Sequence, residues 1–248
     1  MPFAFDHQAV LAVGLCLAAV LYTSVGHGGA SAYLAIMALA GVAAATMRPT
    51  ALVLNVIASS FAAFGYIRAG QFRWRTLWPV LAGAVPMAFL GGSVQLPGHY
   101  YRPLVGIVLL VSAARLLWPG ATPPPGDIKD PPLALSLASG AGIGLLSGLT
   151  GTGGGIFLSP LLIFLGWSDP RTASGVAAVF ILCNSIAGLL GNLIVVRALP
   201  GELPIYAGAV LIGAVVGTQV GIRISSQLIL KALGVVLAIA GLKLIGMY

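Results

Sequence analysis

Acidic side chains are nearly missing from this chain, which has five in 248 residues: Asp6, Asp127, Asp130, Asp169 and Glu202. Each lies at a terminus or between apolar runs, so no carboxylate is available inside an apolar segment to bind Na⁺, an amine or a metal. Charge of either sign is scarce, at 7% of residues, where an ordinary soluble chain carries about 25%. The polar shell of a soluble domain cannot be built from that. Cysteine is equally sparse. Cys16 and Cys183 lie in separate apolar runs with no metal or redox spacing, and they read as small packing residues. No metal site and no cofactor is expected. HExxH, GxSxG, CxxC and paired intramembrane aspartates are all absent, and His27 with Ser24 or Ser31 has no carboxylate to orient it. The composition and motifs therefore argue against an enzyme.

What is present is apolar surface and glycine: 59% hydrophobic residues and 34 glycines, with a mean hydropathy of +1.05. Lipid is the solvent such a chain suits, and small residues let membrane helices approach closely. The net charge of +7 comes from twelve basic residues scattered singly between apolar runs, a distribution that fits membrane topology and not nucleic acid. The N-terminus lacks the basic region of a cleaved signal, so the first apolar segment is expected to be retained.

Ten apolar runs stand between the punctuation, at about 9–23, 30–46, 50–67, 76–96, 103–118, 133–149, 156–167, 172–196, 203–222 and 228–247. The fold expected is all-α, a polytopic helical membrane protein of about eight to ten hydrophobic helices in two inverted repeats. The first, second, fifth and seventh runs fall short of the roughly 20 residues a span needs. They are the candidates for half-helices or re-entrant segments, which must be buried in protein or line a wet cavity. Residues 119–132 differ from the rest, with three consecutive prolines followed by Asp127, Lys129 and Asp130. This stiff polar linker divides the chain into a first membrane repeat at 1–118 and a second at 133–248.

Sliding the second half back by about 125 residues superposes four landmarks. Gly26-His27-Gly28-Gly29 falls on Gly151-Thr152-Gly153-Gly154. Asn55-Val-Ile-Ala58 with Arg68-Ala69 falls on Asn184-Ser-Ile-Ala187 with Arg197-Ala198. Pro79, Ala82-Gly83-Ala84-Val85 and Gly92-Ser93 fall on Pro204, Ala207-Gly208-Ala209-Val210 and Gly217-Thr218. Gly106 and Arg115 fall on Gly234 and Lys243. The offset stays between 125 (151 − 26) and 129 (184 − 55), which marks a tandem duplication. Basic residues after the odd-numbered segments three to nine are Arg68, Arg73, Arg75, Arg115, Lys129, Arg171, Arg223 and Lys231. The alternate set is Arg48, Arg102, Arg197 and Lys243. Eight against four puts the first set in the cytoplasm, and five segments per half set the halves in opposite orientations, whereas a first pair of runs that makes one broken spanning helix in each half would leave the repeats parallel. A multi-pass protein of a bacterial-type inner membrane is expected.

The two glycine clusters are the candidate binding site. Each follows one apolar run and opens another, so each permits an unwound backbone from which a helix starts with free N–H groups and a positive dipole end. Two such ends meeting at mid-depth would cradle an anion. The hydroxyls of Ser24, Ser31, Thr150 and Thr152 could add donors, completing a candidate set of Ser24, Gly26, His27, Gly28, Gly29, Ser31, Thr150, Gly151, Thr152, Gly153 and Gly154. The alternative is that these glycines only make tight turns or close helix contacts. Asn55 and Asn184 recur at matched positions inside apolar runs, where an amide must find hydrogen-bond partners. They serve either as packing between helices or as contacts with the cavity, with Ser59, Ser185 and Gln219 weaker candidates of the same kind. His27 is the one histidine within the apolar body, and it serves either to couple protons, the candidate coupling ion, or to pair with an anionic substrate, or else as a neutral hydrogen-bonded side chain. Thr152 stands in its place in the second half, so its role cannot be symmetric.

The paired GxGG clusters, the Arg-Ala after the third segment and the charged central linker together resemble the sulfite exporter TauE/SafE family over nearly the whole chain. The second cluster, with Leu158-Ser159-Pro160 after it, matches the familiar pattern closely. The first departs from it in His27, in Ala30 for a third consecutive glycine, and in Tyr33-Leu34-Ala35. The resemblance implies a secondary permease, an exporter of sulfite, organosulfonates such as sulfoacetate, or related small anions. The expected partners are thus a small oxyanion or sulfonate, the lipid bilayer, and a second copy of the chain in a homodimer, with no nucleic acid. A non-transporting membrane scaffold or assembly subunit and a passive anion channel are the alternative readings.

Overall fold

The structure, a computed structural model, describes residues 2–117, 128–195, 199–221 and 227–246. These fold into α1 (Pro2–Thr23), α2 (Ala30–Leu39), α3 (Ala44–Arg68), α4 (Trp74–Ser93), α5 (Gly98–Leu117), α6 (Leu133–Thr150), α7 (Gly155–Phe164), α8 (Pro170–Val195), α9 (Leu203–Gly221) and α10 (Gln227–Ile245). No strand occurs among the described residues. The three consecutive prolines of the expected linker, residues 123–125, and the second Arg-Ala pair, Arg197-Ala198, lie outside them.

Five helices are long and apolar enough to cross a bilayer among the described residues: α3, α4, α6, α8 and the Leu203–Val220 stretch of α9. The chain is a multi-pass membrane protein. Of the four runs expected to be short, α2 and α7 are so, at 10 residues each. The first belongs to α1, whose apolar Gln8–Thr23 stretch is also among the shorter ones although the helix runs for 22 residues, and the fifth belongs to α5, which runs for 20. Backbone hydrogen bonding carries these helices through polar starts, such as Gly98–Arg102, that an apolar window excludes. Hydropathy marks what lipid tolerates, not where a helix ladder begins.

Helix directions follow from which residues face one another. A Cβ on Gly14 of α1 would sit 3.5 Å from Ile36 of α2, and Tyr22 and Ser31 share a hydrogen bond of 2.7 Å, so α2 folds back along α1. Between α3 and α8, Leu52 lies beside Gly188, Asn55 bonds to Ser185 and Tyr66 lies beside Gly175. As one number rises the other falls, so α3 and α8 are antiparallel. α5 and α10 are likewise antiparallel, with Gly106 against Ile245 and Leu110 against Gly241.

Two of the main helix contacts recur when α1–α5 is exchanged for α6–α10: α4 on α6 corresponds to α9 on α1, and α4 on α8 to α9 on α3. The corresponding helices α3 and α8 run oppositely, so the two repeats are inverted. The seams of the bundle are built on glycine. Gly140, Gly144 and Gly148 of α6 rest on the backbone of Val80, Ala84 and Ala88 of α4, and Gly213 and Gly217 of α9 on Cys16 and Val20 of α1. Both pairs are parallel, at a separation that admits no Cβ, and dispersion and weak backbone contacts replace the hydrophobic drive that lipid removes.

Two faces result. One holds the α3–α4 turn, residues 128–132 and the α7–α8 turn, tied by the Arg73–Asp130 ion pair at 2.8 Å and by Lys129 N–H donating to Gly166 O at 3.0 Å. Arg75 and Arg171 lie there too. On the opposite face α2 and α10 end together, where Lys243 Nζ donates to Leu39 O at 3.0 Å. Among the described residues, Asp130, Asp169 and Glu202 all lie outside the helices, in the connecting segments.

Candidate functional site

The two glycine breaks meet at one side chain. α2 and α7 each start after a glycine in the left-handed region, Gly29 at φ 100° and Gly154 at φ 79°, a conformation that side chains with a Cβ rarely adopt. Just before them, Gly28 and Gly153 lie on either side of Asn55. A Cβ on Gly28 would overlap Asn55 Oδ1 and one on Gly153 would overlap Asn55 Nδ2, and each would lie 3.1 Å from Ile181 Cγ2. Asn55 comes from the middle of α3 and is 1% exposed. Its Oδ1 accepts the first N–H of α2, from Ala30, at 3.2 Å, and its Nδ2 donates to Ser185 Oγ on α8 at 2.8 Å. One amide thus joins a break from each repeat to the central antiparallel pair.

Asn184 answers to Asn55 only in part. Its Nδ2 donates to Gly153 O at 3.4 Å, while its Oδ1, fully buried, has no hydrogen-bond partner. Next to it, His27 crosses from the first repeat to the second. Nδ1 lies 3.0 Å from Val25 O and Nε2 3.3 Å from Ser159 Oγ on α7. The side chain is half-buried, with its ring edge toward Tyr22. Thr152 does not duplicate it, because its hydroxyl bonds to Thr150 Oγ1 at 3.0 Å.

The hydroxyls expected to serve as donors are largely engaged within the fold. Ser24 Oγ donates to Leu21 O, Thr150 Oγ1 to Leu146 O, and Ser31 pairs with Tyr22. Ser24 and Gly26 sit at the linker-face end of the first break, where Tyr66 OH donates to Ser24 O at 2.9 Å and Ser174 crowds Gly26. Thr150 and Gly151 sit at the opposite end of the second break, against Tyr101 and Arg48. The structure therefore brings together His27, Gly28, Gly29, Asn55, Gly153, Gly154 and Asn184, and leaves Ser24, Gly26, Ser31, Thr150, Gly151 and Thr152 around them.

Several contributors were not singled out from the sequence. Tyr33 OH donates to Gly28 O at 2.7 Å and so fixes the break from below. Ile181 fills the space between the glycines. Arg48, counted in sequence as a loop cation, is instead 5% exposed in the second turn of α3. Nothing in the sequence marks it, since it stands between the runs 30–46 and 50–67, where a loop cation is expected.

Electrostatically the meeting point is positive. Two helix N-termini from opposite faces converge there, each equivalent to roughly half an elementary charge, and none of the buried polar side chains recorded among the described residues is a carboxylate. Among the described residues, no group of histidine, cysteine or carboxylate side chains could hold a metal ion.

A family model for the sulfite exporter TauE/SafE matches residues 10–244. The chain belongs to the sulfite exporter TauE/SafE family. It is 38% identical over 245 residues to the Probable membrane transporter protein y4hK of Sinorhizobium fredii, covering 97% of this chain and 99% of that one. It is also 32% identical over 111 residues to a Probable membrane transporter protein of Xylella fastidiosa, covering 44% of this chain and 42% of that one. No solved structure matches. This TauE/SafE chain is a membrane transporter.

Proposed function

We propose that this protein is a secondary transporter of small oxyanions, sulfite or an organosulfonate, working by alternating access around the paired glycine breaks. The observation that carries the reading is the convergence of the α2 and α7 N-termini on Asn55, with no carboxylate among the buried residues described. An anion held there is stabilised by two dipole ends in a medium of low dielectric. Inverted repeats supply the second requirement, because rocking one repeat against the other exposes the same site to either face in turn. His27 reaches from one repeat to the Ser159 hydroxyl of the other, which makes it the group through which a proton is coupled to that motion. The face bearing Arg73, Arg75, Lys129 and Arg171 is the cytoplasmic one, and the membrane is the inner membrane of a bacterium.

The test is thermal unfolding of the purified protein with sulfite, sulfate, thiosulfate, sulfoacetate and a carboxylate control, at two pH values, followed by uptake into proteoliposomes. A ligand at 100 times its dissociation constant adds about 2.7 kcal/mol to apparent stability. Stabilisation by one sulfur anion, with saturable uptake and counterflow, supports the reading. Uptake without saturation or counterflow indicates a passive channel, and neither binding nor uptake by folded protein indicates a scaffold.

A further inference from the structure

Arg48 is a buried cation without an anion. It is 5% exposed, and the ion pairs among the described residues, Arg73 and Arg75 with Asp130, lie at the other end of the molecule. All five of its N–H donors nevertheless have acceptors. Nη1 donates to Val94 O at 2.9 Å and Leu149 O at 3.3 Å, and Nη2 to Gly92 O at 2.9 Å. With the Asn192 amide oriented to suit, its oxygen accepts from Nε at 2.8 Å and from Nη2. Gly92 and Val94 end α4, Leu149 ends α6, and Asn192 lies on α8. One guanidinium on α3 thus ties a helix end of the first repeat to two helices of the second, using neutral acceptors only.

The same group forms the floor of a cavity of about 170 Å³ on the face opposite the linker, lined by Ala44, Ala45, Gln95, Tyr101 and Asn192 among others. Arg48 is the one charged side chain in the lining recorded for that cavity. Directly beneath lies the second glycine break: a Cβ on Gly151 would sit 3.0 Å from Arg48 Cγ, and Tyr101 OH donates to Thr150 O at 3.0 Å. An ion entering from this face meets the guanidinium before it meets the break.

Carbonyls on two helix ends and one side-chain amide satisfy the guanidinium one bond at a time. An oxyanion offers two coplanar oxygens to the same fork and forms charge-assisted bonds, which are about twice as strong. We propose that this cavity is an oxyanion-binding vestibule and that Arg48 is its selectivity residue and its gate. At rest Arg48 holds the ends of α4 and α6 together over the second break. An anion in the vestibule takes over part of its hydrogen bonding and releases that tie, and only this difference in contacts lets the anion shift the equilibrium. The gate is one-sided, because at the repeat offset of 129 the position matching 48 is Ala177 (177 − 129 = 48). The inference rests on the transporter reading and assigns the route by which the anion reaches that site from one face.

The experiment places a thiol at Ala45, which is exposed at the cavity mouth, in a chain carrying Cys16→Ser and Cys183→Ser. Its labelling by a neutral maleimide is timed with ethanesulfonate, with an ethylammonium salt, and with neither, at one ionic strength. Sulfite uptake, and its competition by ethanesulfonate, is measured on the same preparation. Ethanesulfonate is expected to slow labelling about tenfold and ethylammonium not at all. Arg48→Gln is expected to abolish that protection and to raise the half-saturating sulfite concentration about tenfold or more, with Arg48→Lys intermediate. The protection measurement with native Arg48 stands even if the Arg48 variants fail to fold. Saturable uptake without protection of the thiol overturns the vestibule and leaves the transporter reading intact. Protection without uptake supports the vestibule and removes the transport reading, and absence of both overturns both. Equal protection by ethylammonium, or protection that persists in a folded Arg48→Gln protein, also overturns the assignment to Arg48.

Discussion

Asn55 Nδ2 and Ser185 Oγ are 2.8 Å apart, and this hydrogen bond links α3 to α8 where both glycine breaks touch the same amide. Asn55→Ala leaves Ser185 and the Ala30 N–H without their partner in a buried site, at a cost of about 1–3 kcal/mol. Lower thermal stability and loss of anion uptake are expected together. Asn55→Asp keeps the acceptor for Ala30 but adds negative charge between two helix N-termini, so uptake should fall further than stability does. Unfolding curves beside proteoliposome uptake check both, and a folded Asn55→Asp protein with normal uptake would falsify an anion site at this amide.

Glycine-to-alanine substitution should separate the breaks from the rest of the bundle. At Gly28 a Cβ would stand 2.7 Å from Asn55 Cγ, and at Gly153 it would overlap Nδ2 with the backbone at φ 75°. Gly28→Ala displaces the amide alone, whereas Gly153→Ala also strains the backbone by about 1–2 kcal/mol. Both are expected to abolish uptake, with Gly153→Ala the less stable. Gly142→Ala, in α6 with nothing within 4 Å of the added Cβ, should leave uptake unchanged and raise stability by up to about 1 kcal/mol.

The seam glycines should behave in the opposite way. A Cβ on Gly144 would run into Ala84 O and lie 2.7 Å from Ala84 Cα, so Gly144→Ala must push α6 away from α4. Destabilisation of about 1–3 kcal/mol is expected, while the protein that remains folded binds its anion with unchanged affinity. A thermal shift titration of this variant shows both effects, and weakened binding at full occupancy of the fold would tie the seam to the site.

Asp169 caps α8 on the linker face. Its Oδ1 accepts from the N–H groups of Arg171 and Thr172 at 3.0 Å each, with Pro170 at the first helical position. Partial burial pushes its carboxyl up, but the bonds from Thr172 and Arg171 outweigh it and hold the group below the ordinary carboxylate range. A depressed pKa means stability that is present above the unfolded value, about 3.9, and is lost as pH falls through the folded value. Asp169→Ala should cost about 0.5–2 kcal/mol at pH 7, and the gap to the native protein should close as the pH is taken below 4. Unfolding of both proteins across that range measures it.

Much of the fold could be read from residue order alone. Lipid selects apolar length, so ten runs and their punctuation predicted ten helices, and the short second and seventh ones were visible as such. The duplication was visible in the recurring Gly26–Gly29 and Gly151–Gly154 clusters and in Asn55 and Asn184, because glycine spacing survives where apolar residues interchange freely. The lengths of α1 and α5 were not legible, since helix hydrogen bonding continues past the apolar window. The burial of Arg48 was not legible either, because a cation after a loop looks the same whether it faces water or a helix end.

Residue order alone sets the solvent, the helical class, the duplication and the two places where the backbone must break, since each depends on local chemistry. Helix packing settles that both breaks close on Asn55, that Arg48 spans the repeats and that most hydroxyls around the breaks are used internally. Those outcomes depend on the antiparallel crossing of α3 and α8, which joins residues 130 positions apart. No local pattern of hydropathy encodes which face of one helix meets which face of another.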